Sequence, residues 1–538
     1  MYSNRSMFAA SLLAGMVATA TFAQQPDRTG EKLGRVQFKT SCTPEAQKQF
    51  ERGLAMLHSF YFPETVKTFS SIPAIDPGCA IAYWGIAISQ RPNPLVGPIP
   101  PALLKQGLEA VEKGKATGAK TERERDWLAA IVEFYKDFDK VDQDTRAKNY
   151  ATAMEALTRK YPNDPEAKVF YALALNETID FADKTYANQL KAAKILTALD
   201  ATHPEHPGVA HYLIHSLDFQ PLAKRGLPAA KKYDKIAPSA PHALHMPSHI
   251  YTMLGMWEAS IASNLRSVAI CEDYAAKNHP DATHPHVPHN YDFMQYAYLQ
   301  LGQDGKAKAL VETIATMKKL FREGLATETP FAAIPARYML ERQDWRGAAQ
   351  LQPRGSKFPQ AEAITHFARA LGAARSADFA AAQADIDKLK ELRAGLEKAR
   401  QGYWAEQVEV QMLAAQAWIA QGQGNSAEAE KLMRAAADLE DRSEKHVAME
   451  NRLYPMRELL ADLLMEQRKP AEALKHYQAS LKAAPERLRG FYGAAKAAEA
   501  AGDRKMGMGY YRQLARLTRT ADGGRPELRE VKQVLGQW

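Results

Sequence analysis

Small, aromatic and apolar residues recur along most of the chain at fixed positions of a helix-turn-helix unit. The clearest case lies near the C-terminus, where one set of positions returns 34 residues later: Ala461, Ala473 and Tyr477, then Ala495, Gly507 and Tyr511. Proline at helix starts and glycine at helix ends divide the chain in the same way, as at Asp164-Pro165 and Leu301-Gly302. The pattern predicts an all-α protein of about twelve helix pairs.

This spacing resembles that of the tetratricopeptide repeat, and the resemblance covers about residues 41–520. An N-terminal unit carries Gly53, Phe69 and Pro77, and two central units carry a further set: Ser248, Gly255, Ser260 and Asn264, then Tyr291, Gly302, Ala307 and Val311. The phrases at 76–85 and 242–249 are similar to those of a poorly characterised exported bacterial subfamily. The resemblance implies a right-handed α-solenoid whose first helices line a concave groove. It implies no activity.

The sequence divides into consecutive sections. We expect a signal peptide (1–23), a disordered leader (24–40), N-terminal repeats (41–200), central histidine-rich repeats (201–320), divergent helical repeats (321–400), C-terminal repeats (401–520) and a C-terminal capping helix (521–538).

The N-terminal segment has the pattern of a signal peptide. Arg5 precedes an apolar stretch from Met7 to Phe22, which ends in the small residue Ala23. We expect cleavage after about Ala23 and a periplasmic or secreted protein without a transmembrane domain. An uncleaved anchor is the alternative, since the stretch is only slightly shorter than the ~20 residues that a membrane span needs.

The charge balance argues against nucleic acid as a partner. The net charge is +8 and the isoelectric point is near 9.0, but Lys and Arg are interspersed with Asp and Glu along nearly every helix. No dense basic run with interleaved aromatic residues occurs. A protein or peptide in the concave groove is the expected partner.

Three cysteines occur, and the first two are candidates for a disulfide. A helical hairpin between Cys42 and Cys79 would bring Cys79 back to the first helix, and an oxidising compartment would favour the bond. Cys271 would then be free. Metal ligation by Cys42 and Cys79 is the alternative, although no CxxC spacing supports it.

Histidine is concentrated in the centre of the chain: eleven of the fifteen histidines lie between His203 and His289. The repeat register, set by apolar and small residues, places many of them at groove-facing positions of three successive first helices, which begin near residues 207, 241 and 288. With neighbouring helices ~8–10 Å apart, these side chains can meet. The candidate ligands are His211, His215, Asp218, His242, His245, His249, His289 and Asp292.

A transition-metal site is one interpretation of this set. The pairs His211/His215 and His245/His249 have the i, i+4 spacing by which a helix presents two imidazoles to one ion, and Asp218 or Asp292 would complete or orient the site. Neutral imidazole with carboxylate suits Zn, Cu, Ni or Fe.

Two other interpretations are a metal-free groove for a peptide or small anion and a buried His–Asp network that only orders the repeats. The sequence contains no phosphate-binding loop, dinucleotide fingerprint or heme-attaching CxxCH, so neither nucleotide nor heme is expected. We therefore expect a binding or scaffold protein rather than an enzyme. The alternative is a metal-dependent hydrolase or oxidoreductase that uses the same His/Asp groove.

Overall fold

The protein is all-α in the part that the computed structural model describes, residues 30–536. Consecutive helices pack against each other along the chain. In chain order they are α1 (Pro44–His58), α2 (Phe62–Ile75), α3 (Ile81–Ser89), α4 (Pro101–Thr117), α5 (Glu122–Tyr135), α6 (Gln143–Lys160), α7 (Pro165–Glu177), α8 (Ala187–Asp200), α9 (Pro207–Leu217), α10 (Ala223–Ile236), α11 (Pro241–His245), α12 (Pro247–Met253), α13 (Trp257–Asn278), α14 (His286–Gln300), α15 (Asp304–Ala315), α16 (Leu325–Glu341), α17 (Trp345–Ala349), α18 (Pro359–Arg375), α19 (Phe379–Lys398), α20 (Gly402–Gly422), α21 (Ser426–Arg442), α22 (Met456–Glu466), α23 (Pro470–Ala483), α24 (Leu488–Ala500), α25 (Arg504–Leu517) and α26 (Pro526–Leu535).

Small residues let the paired helices approach closely, as the repeat spacing predicts. A Cβ added at Gly85 would lie 2.3 Å from the ring of Phe69, and one added at Gly493 would lie 2.2 Å from the ring of Tyr477. Both aromatic rings are buried at repeat positions. The fold is therefore an α-solenoid of tetratricopeptide-like helix pairs.

The divergent repeats do not interrupt this stack. Helix α16 packs against α14 before it and against α18 after it. Between them α17 is only five residues long, which explains why the 34-residue spacing drifts in this part of the sequence.

The expected disordered leader is wrong for its second part. Phe38 is fully buried, with its ring centroid 4.9 Å from that of Phe50 and 5.0 Å from that of Trp127. The backbone N–H of Arg35 donates to the carbonyl of Glu205. These ring contacts and this backbone hydrogen bond hold residues 32–40 against the helical repeats. The expected signal peptide, residues 1–23, and the start of the leader lie outside the described residues.

The C-terminal helices pack back onto the centre of the stack. Arg487, which precedes α24, is fully buried and forms ion pairs with Glu341 of α16 and Glu458 of α22. Arg525, which precedes α26, pairs with Asp304 of α15. Because buried ion pairs need both partners in place, these contacts fix α24 and α26 against the central helices.

A long connection between α21 and α22 lies across the interior of the solenoid; we call residues 443–455 the closing segment. At one end, the N–H of Glu444 donates to the carbonyl of Phe181, and Tyr186 donates to the Glu444 carboxylate. Further along, Arg337 donates to the carbonyls of Asn451 and Arg452. The closing segment thus joins the C-terminal repeats to the N-terminal ones.

Cys42 and Cys79, the pair considered in the sequence analysis, are joined by a disulfide with their Cα atoms 4.9 Å apart. Cys271 is buried and unbonded. No helix between residues 30 and 536 combines the length and the apolar character that a membrane crossing requires.

Candidate metal centre

Three helical segments bring six predicted histidines together. Helix α9 supplies two of them, α11 and α12 supply three, and α14 supplies one. Within each of two groups the candidate ligand atoms lie within 4.8 Å of one another: His211, His215 and His242 in the first triad, and His245, His249 and His289 in the second triad. The ring centroids of His242 and His245 are 5.8 Å apart, so the two triads are neighbours.

The first triad presents ring nitrogens that lack ordinary partners. His211 donates through Nδ1 to the carbonyl of His58 at 2.6 Å, which leaves a lone pair on its Nε2 when the ring is neutral. That Nε2 lies 3.1 Å from Nε2 of His242. The Nε2 atom of His215 is buried and has no hydrogen-bond partner in the described part of the chain. A buried, unpartnered nitrogen beside a lone pair is the arrangement that a metal ion would satisfy.

The second triad also contains an imidazole whose Nδ1–H binds an oxygen and whose Nε2 carries a lone pair. His245 donates through Nδ1 to Oδ1 of Asn264 at 2.6 Å, and the Asn264 amide is oriented by its own bond to the carbonyl of Ser260. The Nε2 atom of His245 then carries a lone pair and lies 2.9 Å from Nε2 of His249. The ring of His289 is 4.7 Å from that of His245, and a backbone hydrogen bond at Ala326 holds it.

Two carboxylates orient His249. Its Nδ1 donates to Oδ2 of Asp218 and to Oε2 of Glu450, both at 2.7 Å. Because the Nδ1–H of His249 donates to these carboxylates, the other ring nitrogen of His249, Nε2, faces the Nε2 lone pair of His245. Only a proton on His249 or a cation between the two rings can make that contact favourable. Asp218, expected to complete or orient the site, holds the ring of His249 through this hydrogen bond.

Burial keeps most of these imidazoles neutral. It lowers the pKa of His211, His215, His242 and His245 well below the ordinary value, and neighbouring histidines add to the shift. Burial also lowers the pKa of His249, but the charges of Glu450 and Asp218 outweigh it and raise that pKa to about 10. Burial likewise lowers the pKa of His289, to about 4. Neutral imidazole is the form that binds metal, so five of the six rings are already in that form and a metal ion would displace the proton from His249.

A second buried network lies behind the first triad. Oxygens of Glu166 accept from Nε2 of His58 and Nε2 of His206, each at 2.9 Å. Nδ1 of His206 accepts from the N–H of Val209 at the start of α9. Since the carbonyl of His58 binds His211, this network fixes the end of α1 against the candidate ligand. Burial raises the pKa of Glu166, but the facing rings of His206 and His58 outweigh it and leave that pKa well below normal.

Asp292 joins neither triad. Its carboxylate accepts from Nη1 of Arg337 and from Nδ2 of Asn451, both at 2.7 Å. Arg337 also holds the closing segment, so Asp292 fixes that segment instead of facing an imidazole. The sequence register places this residue on the correct side of α14 but does not show what covers it.

Within residues 30–536 the predicted histidines do not line the open groove that the sequence led us to expect. His245 and His249 are each 1% exposed, and Glu450 of the closing segment lies directly against His249. An extended peptide therefore cannot reach these rings while the closing segment is in place.

Sequence reasoning missed several residues of the site. Glu450 comes from a connection 201 residues beyond His249, and no local pattern marks it. His58 and His206 are not among the predicted ligands, yet both are buried on Glu166. His286 is also outside the predicted set, but its ring centroid is 5.3 Å from that of His242. The sequence does mark His206 in one way: Pro207 directly after it is typical of a first helical residue, which makes His206 the helix N-cap.

Comparisons with known proteins identify no family. No family model matches the chain, and no curated protein matches it. Among solved structures, Naa15/Naa10 bound to HypK-THB shares 12% identity, with 91% of this chain and 73% of that chain covered and a TM-score of 0.20. The human IFIT1 dimer with m7Gppp-AAAA shares 11% identity, with 81% and 90% covered and a TM-score of 0.37. At these scores the likenesses say nothing about function, and the fold assignment rests on the helix pairs themselves.

Proposed function

We propose that the protein is an exported metal-binding protein whose two triads hold a pair of transition-metal ions. The observation that carries the proposal is the 2.9 Å approach of the His245 and His249 Nε2 atoms, whose Nδ1 atoms are both committed to oxygen acceptors. Such an approach requires a proton on His249 or a cation between the rings, and a transition-metal ion that replaces the proton would bind both nitrogens. The unpartnered Nε2 of His215 supports the same conclusion for the first triad.

The donor atoms favour copper or zinc. Each triad offers three imidazole nitrogens, and the carboxylates of Asp218 and Glu450 bind a ring nitrogen of His249. Nitrogen-rich sites bind Cu(II) most tightly among the divalent first-row ions, and three imidazoles are also a common ligand set for zinc. Carboxylates that bind the far nitrogen of a ligand raise its basicity and fix its orientation.

The N-terminal pattern and the disulfide both support export. Arg5 followed by an apolar stretch ending at Ala23 is typical of a signal peptide. The disulfide Cys42–Cys79 is a bond that persists in oxidising compartments. We propose a periplasmic or secreted location on these grounds.

Metal analysis of protein purified without a histidine tag tests the proposal. We expect about two equivalents of Cu or Zn after reloading and dialysis, about one in His211→Ala or His245→Ala, and none in the double variant. His476→Ala is the matched control, since His476 lies on α23, away from both triads. Circular dichroism checks that each variant keeps its helix content. Wild-type protein that retains no metal after reloading would refute the proposal.

Enzymatic use of the centre is a second candidate, and a narrow pocket beside His242 favours it. A metal-dependent hydrolase or oxidoreductase needs a route by which substrate reaches the ion. Turnover of ester, phosphoester and phenol substrates by the metal-loaded protein, lost in the double variant, would support this function. Turnover that the double variant retains would exclude the centre as its source.

A further inference from the structure

A narrow pocket leads to the first triad from outside. Its wall includes one ring of that triad, His242, together with basic and aromatic side chains: His284, His286, Arg322, Phe60 and Phe321. The pocket volume, measured as the space that the centre of a water molecule can occupy, is about 10 Å³. This volume holds about one group of that size. Anything that binds here is therefore small, or enters with a small end.

Arg322 is an unpaired cation in this wall. No hydrogen bond or ion pair to its guanidinium occurs within the described part of the chain, and the side chain is half-buried in the pocket wall. This burial lowers its pKa without removing its charge at neutral pH. The guanidinium is therefore a cation to which an anion entering the pocket can bind.

His284 supplies a second unused donor. Its Nδ1 accepts from the N–H of His286 at 3.2 Å, so the neutral ring carries its hydrogen on Nε2. Burial lowers the pKa of His284 to about 3, and nearby Arg322 and His279 add to the shift, which keeps the ring neutral. The Nε2 atom is buried and has no hydrogen-bond partner among residues 30–536. An N–H and a guanidinium therefore both line the same pocket without an anionic acceptor.

The pocket wall contains no negatively charged group that would pair with these donors. None of the residues that line it carries a carboxylate. Glu64, on nearby α2, accepts instead from the hydroxyl of Tyr274. The pocket is thus positively charged, whereas the second triad has two carboxylates behind His249.

We propose that this pocket binds a small carboxylate or a similar oxyanion between Arg322 and His284, directly beside His242. Where the first triad holds a metal ion, as the proposed function states, the bound anion lies at the edge of that ion's ligand set and is the chemical class of its external ligand or substrate. Anion binding by Arg322 and His284 does not itself require the metal, so the two proposals fail separately.

Calorimetric titration with formate tests the pocket, using the full chain in metal-free and copper-loaded forms and chloride at equal ionic strength as the reference salt. We expect formate to bind both forms, more tightly when copper is present. Arg322→Gln should weaken binding at least about tenfold, the value of one charge-assisted hydrogen bond. Arg346→Gln, at an exposed position on α17, is the control and should bind as wild type.

His284→Phe keeps the ring volume but removes the N–H, and should also weaken formate binding. Equal binding by wild type and Arg322→Gln, or no formate-specific heat in either form of the wild type, would overturn the inference. If copper does not load but Arg322-dependent formate binding remains in the metal-free protein, the anion pocket stands and the metal proposal falls.

Discussion

Glu450 accepts a hydrogen bond from His249 at 2.7 Å, although the two residues lie 201 positions apart in the chain. Burial and the charge of Asp218 raise the pKa of this carboxyl above its ordinary value, and the charge of His249 opposes the shift. The proposed metal centre therefore depends on the closing segment as well as on its own repeats.

Replacing Glu450 with Gln should weaken metal binding about 10- to 100-fold, the usual effect of losing a group that orients a ligand. The amide still accepts from Nδ1 of His249 but no longer makes the ring more basic. Competition with a chromophoric chelator measures the change. Glu428→Gln is the control, since the Glu428 side chain on α21 is 41% exposed. Equal affinities of the two variants would show that Glu450 has no part in ligation.

Metal should stabilise the folded protein. A ligand that binds only the folded state at 100 times its Kd adds about 2.7 kcal/mol to the free energy of unfolding. Thermal unfolding should therefore shift upward when copper or zinc is added to metal-free protein, and chelation should reverse the shift. The His211→Ala/His245→Ala double variant should not respond, and a response of equal size would place the binding site elsewhere.

Acid should weaken the docking of the closing segment through His446. Its ring packs against those of Phe181 and Trp404, with centroid distances of 5.0 and 4.9 Å, and burial lowers its pKa to about 4. The unfolded residue titrates near 6.5. The stabilisation that the neutral, buried ring of His446 provides is therefore complete above pH 6.5. As the pH falls toward 4, the free energy of unfolding decreases by up to about 3 kcal/mol.

The His446→Phe variant isolates this effect, because it keeps an aromatic ring that cannot be protonated. The difference in free energy of unfolding between wild type and variant, measured by urea titration, should change steeply between pH 6.5 and 4 and be constant above pH 6.5. A difference that is constant over the whole range would show that His446 does not titrate on unfolding.

Breaking the Cys42–Cys79 disulfide should destabilise the protein by about 4 kcal/mol, as estimated from the loop that the bond closes. The two cysteines are 37 positions apart. Urea unfolding of Cys42→Ser/Cys79→Ser measures the loss. Treatment with reductant should lower the stability of the wild type but not that of this double variant, and a reductant effect of equal size on both would assign it to another group.

The helix contacts predict opposite effects on stability for one glycine on α24 and one on the adjacent helix α25. Gly493→Ala should destabilise by about 1–3 kcal/mol, since its Cβ would overlap the Tyr477 ring and that ring is fully packed. Gly509→Ala, whose Cβ meets nothing within 4 Å, should be neutral or stabilise by up to about 1 kcal/mol through helix propensity. Urea unfolding of both variants provides the comparison, and equal losses would contradict the packing explanation.

The fold follows from local patterns and could be predicted. Spacing such as that between Tyr477 and Tyr511 reports contacts within a helix pair, and these contacts define a solenoid. The convergence of His211 with His242, and of His245 with His289, followed from the same register because neighbouring pairs repeat one geometry.

The rest of the site depends on contacts that no local period encodes. Glu450 reaches His249 only because the closing segment crosses the interior. Asp292 has the predicted helix position, but Arg337 and Asn451 take its carboxylate. Burial of the rings, which decides between an open groove and a closed centre, likewise results from this distant connection.

The path of residues 443–455 sets an order of events during synthesis. A nascent chain emerging from the ribosome has all six imidazoles once His289 is made, but it lacks the acid at His249 until Glu450 follows. A product truncated before residue 443 would lack both Glu450 and the segment that lies against His249. If the two triads bind metal as proposed, the complete centre therefore forms only after the closing segment has been synthesised.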